Sequence, residues 1–340
     1  MSGRHSRSVL FPGIGSAGQE RIGRLRVAFV GVGAVGAAAA ELAVRAGVLK
    51  ATLVDRDVVE PSKLSRQLLF DASDAAEVRP KATAAAVRLA AIDPSVQLVP
   101  VVADLEPGNV RAILAGHDLV FDGSDNFETR LLVSDASRAL GTPSLYAACV
   151  GDEGRVALSV PGRTPCLRCW VEASPPAGEG PTCDTAGVVP TLPALVAAAG
   201  LTEALRFAVG MEPAPGLLVL TLWENGLRTR RLLGGAGINP ACPACAGRSY
   251  PALEAGAAAE TVKLCGRQSV QIARAGRPRP DFDGLERRLA PLGRVRRSAE
   301  LLNADLADVS LTIFSDGRCV VRGTDDPVRA RGYYDRYVGG

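Results

Sequence analysis

The six residues Gly31-Val32-Gly33-Ala34-Val35-Gly36 constrain this chain more than any other feature. They join an apolar, β-branched run at 26–31 (RVAFVG) to a small-residue stretch at 34–45 of helical character, and a second run, ATLVDRD, ends at Asp57. Strand, glycine turn, helix and strand make a βαβ unit. Its glycines permit a tight turn and let backbone N–H groups approach a phosphate at the helix N-terminus. Asp55, ending the second strand, is placed to accept from ribose hydroxyls. The pattern predicts a nucleotide site at Gly31, Gly33, Ala34, Gly36 and Asp55, without separating NAD from ATP.

The alternation continues with a helix at 81–92, a strand at 96–103, a helix at 109–114, a buried strand at 119–122, a helix at 126–140 and a strand at 144–150. This predicts an α/β fold, a Rossmann-like, mostly parallel sheet covered on both faces. Beyond Gly151 the antiparallel-looking runs RVALSV, LLVLTLW and LRTRRLL follow, with a helix at 190–209 between them. The loop 172–182 holds three prolines and two glycines, a composition and length that often cover a site.

At 340 residues the chain exceeds the roughly 250–300 at which single cores stop growing, so two domains are expected. The first spans 1–247. Ala- and Gly-rich residues 248–260 read as a linker, and 261–340 as a small α+β domain. That domain is expected to hold a strand at SVQIA, a helix at 282–292, strands at 295–297 and 309–322 turning at Asp316-Gly317, and a last helix at 327–338.

A net charge of +3 gives no electrostatic footprint for nucleic acid or membrane. The basic run Arg287, Arg288, Arg294, Arg296 and Arg297 reads as a solvated helix face and loop, the alternative being a docking face for an acidic partner. Arg4 and Arg7 are followed by Gly13, Gly15 and Gln19 rather than an apolar segment, so no secretory signal is read and a cytoplasmic location is expected. The apolar run 187–201, broken by Pro190 and Pro193, is too short to span a bilayer and reads as a buried helix.

Eight cysteines in a chain read as cytosolic argue against a disulfide scaffold. Cys166-x-x-Cys169 and Cys242-x-x-Cys245 each form a two-thiolate turn, and together they supply a closed tetrahedral shell for structural Zn²⁺. Two redox or free pairs are the alternative. Cys149, Cys265 and Cys319 sit in apolar strand-like contexts and read as core.

Arg66-Gln67, Lys81 and the segment Asp122-Gly123-Ser124-Asp125-Asn126 fall at or beyond strand ends, where open α/β sheets bind ligands. Two cations there can neutralise a triphosphate and its leaving pyrophosphate, and a carboxylate can hold Mg²⁺. Carboxylate attack requires no protein base, so His5 and His117 need no role; His117 reads as a capping or surface residue.

Taken in order, RHSR (4–7), GVGAVG, VDRD (54–57), SKLSRQ (62–67), PKA (80–82), DGSDN (122–126) and the two CxxC pairs resemble the ThiF, MoeB and HesA group of adenylyltransferases, within the ubiquitin-activating superfamily, over about residues 4–247. The resemblance implies a homodimer whose ATP site activates the terminal glycine of a ubiquitin-like sulfur carrier protein ending in Gly-Gly. Products are an acyl-adenylate and pyrophosphate. It implies Asp55 on the ribose, Arg66 and Lys81 on the phosphates, Asp125 on Mg²⁺ and Asn126 beside the nucleotide, with Arg7 reaching the phosphates of the other subunit's ATP.

The family's usual SNLxRQ reads Ser62-Lys63-Leu64-Ser65-Arg66-Gln67 here. Lys63 replaces an asparagine that touches ATP, and either adds phosphate binding or turns outward. Cys183 matches a family cysteine that forms a thioester or disulfide with the carrier in some members; the alternative is a non-essential neighbour. From Tyr250 onward, LCGRQSVQI, FSDGR and YYDRYVG resemble an extra domain of some thiamine-branch members, tilting the reading toward thiamine over molybdopterin. No rhodanese-type loop is present in the sequence, which points to a separate sulfur donor such as a cysteine desulfurase. Gly339-Gly340 reads as a frayed end, or as a tail that competes for the site or is itself modified.

Two other classes compete. A catalytically silent subunit of a heteromeric complex would be expected to lack Arg7, Arg66, Lys81 and Asp125, which are all present. An NAD(P)-dependent oxidoreductase explains the glycine string but neither the Arg66 and Asp125 set nor the cysteine pairs.

Overall fold

Continuous apolar runs form the centre of an eight-stranded sheet in the computed structural model, which describes residues 3–171, 183–224, 226–232, 237–254, 261–263, 268–272 and 279–339. The loop 172–182, the Cys183 thiol, Cys265 and Gly340 lie outside the described residues. Two compact units are present, Met1–Gly256 and Ala257–Gly340.

In the first unit, β1 (Arg26–Val30), β2 (Lys50–Asp55), β3 (Gln97–Val102), β4 (Leu119–Asp122) and β5 (Ser144–Val150) run parallel. β6 (Glu153–Ser159), β7 (Leu217–Thr221) and β8 (Arg228–Leu232) continue the sheet antiparallel. The order is β3-β2-β1-β4-β5-β6-β7-β8. Strand order reverses between β1 and β4, so a crevice opens beyond their C-terminal ends, Val30 and Asp122.

The helices are α1 (Ser6–Leu10), α2 (Gly15–Arg24), α3 (Ala34–Ala46), α4 (Ala72–Ala76), α5 (Lys81–Ile92), α6 (Val110–Leu114), α7 (Phe127–Leu140), α8 (Leu167–Trp170), α9 (Cys183–Ala186), α10 (Leu192–Ala208) and α11 (Pro251–Glu254). One sheet face packs on α3, α5 and α10 in the main core, and the other on α6 and α7, where Ala252 and Leu253 of α11 join. The alanine-rich face of α3 lets α10 lie close. Gly154 allows the same approach to the sheet, since a methyl built there would stand 2.2 Å from Cγ2 of Val196. The run expected as a buried helix is α10, with Leu192, Val196, Ala197 and Leu201 in the core. No described helix is long and apolar enough to cross a membrane.

The second unit has a six-stranded antiparallel sheet in the order β11-β12-β13-β14-β10-β9. These strands are β9 (Thr261–Lys263), β10 (Ser269–Ile272), β11 (Gly293–Arg297), β12 (Leu301–Leu306), β13 (Ser310–Phe314) and β14 (Cys319–Arg322). The alternate positions Leu302, Ala304, Leu311, Ile313, Cys319 and Val321 pack with Leu285 and Leu289 of α12 (Phe282–Leu289) and Ala330 and Tyr334 of α13 (Pro327–Tyr337). Cys319 is fully buried, and burial pushes its thiol up to about 12.

Among the elements that depart from the sequence reading, two have a clear physical reason. α2 lies where glycines hid a helix. A methyl on its Gly18 would stand 3.0 Å from Val209, so the glycine serves close packing rather than a break. β12 fills 301–306, where the centrally placed Asn303 and Ala304 disfavour strand on propensity alone. Asn303 is buried because its amide donates to the Leu311 carbonyl and reaches Thr312 Oγ1.

Candidate active site and zinc-ligand cluster

The glycine turn is held by backbone contact. Gly31 sits at φ +77°, and a methyl there would stand 2.9 Å from Ser124 N. One on Gly36 would collide with the Gly31 carbonyl at 1.8 Å. Both are therefore required to be glycine, and they bring the glycine turn against the Gly123–Ser124 backbone. Gly33 caps the N-terminus of α3, which begins at Ala34, and a methyl there would meet only the Gln67 amide, at 3.7 Å. Gln67 is buried, and its Oε1 has no partner. The N-terminus of α3, which has no side-chain cap, is a cradle that a phosphate group fits.

Asp55 is the pivot of this cradle. Its Oδ2 accepts from Val32 N at 2.7 Å and its Oδ1 from Asp57 N at 2.8 Å, so it fixes the glycine turn while each oxygen keeps a further lone pair. Burial pushes its carboxyl above the ordinary range, opposed by the charge of Lys81. Lys81 opens α5 with Nζ 3.1 Å from Asp57 Oδ2, and its side chain is only 6% exposed.

Arg56, absent from the sequence reading, lies beside them. Its Nη1 reaches both Asp104 oxygens at 3.2 and 3.3 Å. Burial works against its charge, but Asp104, Asp57 and Asp125 outweigh that and hold the guanidinium above its usual value.

Ser62 is exposed, and its carbonyl accepts from Arg66 Nη1 at 3.3 Å. Lys63 is buried, so it does not turn outward. Beyond β4, Asn126 caps α7 by accepting from Thr129 N. Asp125 is exposed and makes no hydrogen bond or ion pair among the described residues. An exposed carboxylate at this strand end suits a hard divalent cation such as Mg²⁺.

Arg7 stands apart. His5, two residues away, lies against Gly47 at the far end of α3, and Arg4 pairs with Asp93 beyond the end of α5. α3 has 13 residues and spans about 20 Å, which separates that end from the glycine turn. Arg7 is exposed and makes no ion pair among the described residues. His117 is also remote, joined to Thr52 Oγ1 and the Leu114 carbonyl rather than capping a strand. A cleft of about 250 Å³ between α3 and α5, lined by Glu41, Leu68, Asp71 and Arg88, holds none of the site residues.

The four cysteines of the two CxxC pairs come together. Cys166 Sγ is 4.0 Å from that of Cys169 and 3.6 Å from that of Cys242, and Cys169 is 3.7 Å from Cys245. All four sulfurs lie within 4.8 Å of one another. Zn–S bonds of about 2.3 Å in a tetrahedron require sulfurs about 3.8 Å apart, so the set fits Zn²⁺ and is too open for disulfides. The cluster is braced from α7: buried Asp135 binds Arg168 at 2.6 and 2.9 Å and accepts from Ala252 N of α11 at 2.9 Å.

Fold and site together define a nucleotide-binding α/β protein with a cluster of four cysteines that could hold a metal ion. The chain belongs to the ThiF family, whose sequence model matches residues 5–244. Sulfur carrier protein ThiS adenylyltransferase of Bacillus subtilis is 38% identical, the alignment covering 100% of both chains. A sulfur carrier protein adenylyltransferase of Thermus thermophilus is 38% identical over 71% of this chain and 90% of its own. Among solved structures, E. coli MccB with AMPCPP and MccA superposes with a TM-score of 0.63 at 18% identity, covering 72% of this chain and 74% of that one, and shares the fold.

Proposed function

We propose that this protein adenylates the C-terminal glycine of a ubiquitin-like sulfur carrier protein. The observation that carries this is the convergence of the glycine turn, Asp55, Lys81 and the exposed Asp125 at the β1/β4 reversal, in a chain aligned end to end with a ThiS adenylyltransferase. The phosphates of ATP lie at the N-terminus of α3, and the ribose lies on Asp55. Arg66 and Lys81 neutralise the phosphate chain, and Asn126 flanks the nucleotide.

The carrier's carboxylate oxygen attacks the α-phosphorus, a P–O bond to the acyl group forms, and the bond to the β-phosphate oxygen breaks with release of pyrophosphate. Mg²⁺, held by Asp125, supplies charge neutralisation to the leaving pyrophosphate. The product is a mixed acyl-phosphate anhydride, and no proton leaves the attacking group. An NAD(P)-dependent oxidoreductase accounts for none of Asp125, Lys81 or the cysteine cluster.

Arg7 completes the site of a second subunit, because α3 separates it from its own. The sulfur donor is a separate protein, and the carrier belongs to the thiamine or molybdopterin branch. A covalent role for Cys183 is a step after adenylation. Zn²⁺ in the four-cysteine cluster is structural, and residues 1–247 form the catalytic domain. Intact mass spectrometry of a carrier ending in Gly-Gly, incubated with ATP, Mg²⁺ and this protein, tests the reading. A carrier heavier by one adenylate supports it, and an unmodified carrier from every branch contradicts it.

A further inference from the structure

We propose that Arg130 is a positioning residue for this reaction, acting on Asp125 through the loop that carries it; the inference rests on the adenylation reading above. The loop between β4 and α7 is fastened at three points. Gly123 N donates to the Val30 carbonyl at 2.9 Å. Ser124 donates from N (3.0 Å) and Oγ (2.6 Å) to Oδ1 of buried Asp122. Arg130 then grips the same residue from the other side, donating from Nε (3.2 Å) and Nη2 (2.8 Å) to the Ser124 carbonyl.

Arg130 is itself over-determined. Its guanidinium lies 5.3 Å from the Phe127 ring centroid and 5.4 Å from that of Tyr146, a desolvated cation over two aromatic rings. It is 9% exposed, and its charge opposes the burial that pushes the Asp122 carboxyl upward. The chamber beneath, lined by Asp122, Arg130, Ser134 and Tyr146 together with Val133, Leu167 and Trp170, has a volume of about 10 Å³, room for one water at most.

A cation in the first turn of α7 opposes the helix dipole, so helix stability does not explain it. Its geometry does. The peptide of Ser124 is clamped on both sides while the next residue, Asp125, is exposed and makes no hydrogen bond among the described residues, so the direction of the Asp125 carboxylate follows the clamp. Lysine keeps the charge beside Asp122 but cannot donate two bonds in a fixed plane to one carbonyl.

The test is carrier-dependent ATP–pyrophosphate exchange and melting temperature for Arg130→Lys and Arg130→Met. Misplacing a reacting group by about 1 Å costs about 10²-fold in rate, so kcat is expected to fall by that order in Arg130→Met, with KM for ATP held within about threefold. The Mg²⁺ concentration giving half-maximal rate is expected to rise in both variants, and Arg130→Lys, the variant that keeps the fold, to recover only part of kcat. Folded variants with wild-type kcat and Mg²⁺ dependence overturn the positioning role, as does a change confined to KM. Absence of exchange in the wild type with every carrier overturns the adenylation reading instead.

Discussion

His5 lies against Gly47, the C-cap of α3, with a methyl built on that glycine standing 3.1 Å from the imidazole Cε1. The contact pins the N-terminal segment at the end of α3 remote from the glycine turn. Arg7, exposed two residues on, is then placed away from the glycine turn of its own chain. Arg7→Ala is expected to abolish exchange without moving the melting temperature. Mixing Arg7→Ala with Asp125→Ala should restore activity, because each mixed dimer has one intact site. Random pairing predicts about one quarter of wild-type activity. No restoration on mixing places Arg7 in its own subunit's site and contradicts this arrangement.

Lys81 is a buried cation paired with Asp57, which is partly open to solvent. Lys81→Met is expected to lower exchange by about 10²–10³-fold, the usual cost of removing a preorganised charge from a transferring phosphoryl group. Adding Asp57→Asn removes the carboxylate that paired with Lys81, so the double variant should regain part of the melting temperature but not rate. Recovery of rate by the double variant indicates that Lys81 serves only its ion pair.

Protein purified without added metal is expected to carry one zinc per chain, by elemental analysis. Cys242→Ser should lose it, melt at lower temperature and lose cooperativity, since a structural zinc site contributes folding free energy directly. A four-thiolate shell leaves no open position. Exchange per folded molecule is therefore expected to stay near wild type. A zinc-free variant with unchanged melting contradicts the clamping role.

Much of this fold is legible in the sequence because β1, β2, β4 and β5 are short apolar runs bounded by clear turns, and α5 has the ends expected from the sequence. Where Gly18 or Asn303 contradicts local propensity, tertiary packing decides, and α2 and β12 went unread. The site divides the same way. Glycine turn, Asp55, Lys81 and the 122–126 loop are contiguous motifs beside strand ends. Arg130 offers one faint signal, a basic residue in a helix's first turn. Asp104 and Arg56 meet only through the pairing of β2 with β3, which no local pattern states.

The pair Arg26 and Asp118 joins the starts of β1 and β4. A hydrogen bond from the Arg26 side chain chiefly holds the Asp118 carboxyl below its ordinary value. As pH falls the unfolded chain binds the proton first, at about 3.9. The stabilisation is therefore present above that value and lost as pH drops through the lower folded value. Both side chains are substantially exposed, so Asp118→Asn should lower the melting temperature at pH 7 by only about 1–2 °C. The gap between variant and wild type is expected to narrow from pH 5 to pH 3, and a gap independent of pH rules out the ion pair as its source.

The most direct test of the central claim is ATP–pyrophosphate exchange with purified protein and each candidate carrier ending in Gly-Gly, comparing wild type with Asp125→Ala. Exchange that requires one carrier and disappears in the variant is the predicted result, and it also names the branch. ATP binding without exchange for any carrier contradicts adenylation by this chain and favours a silent subunit.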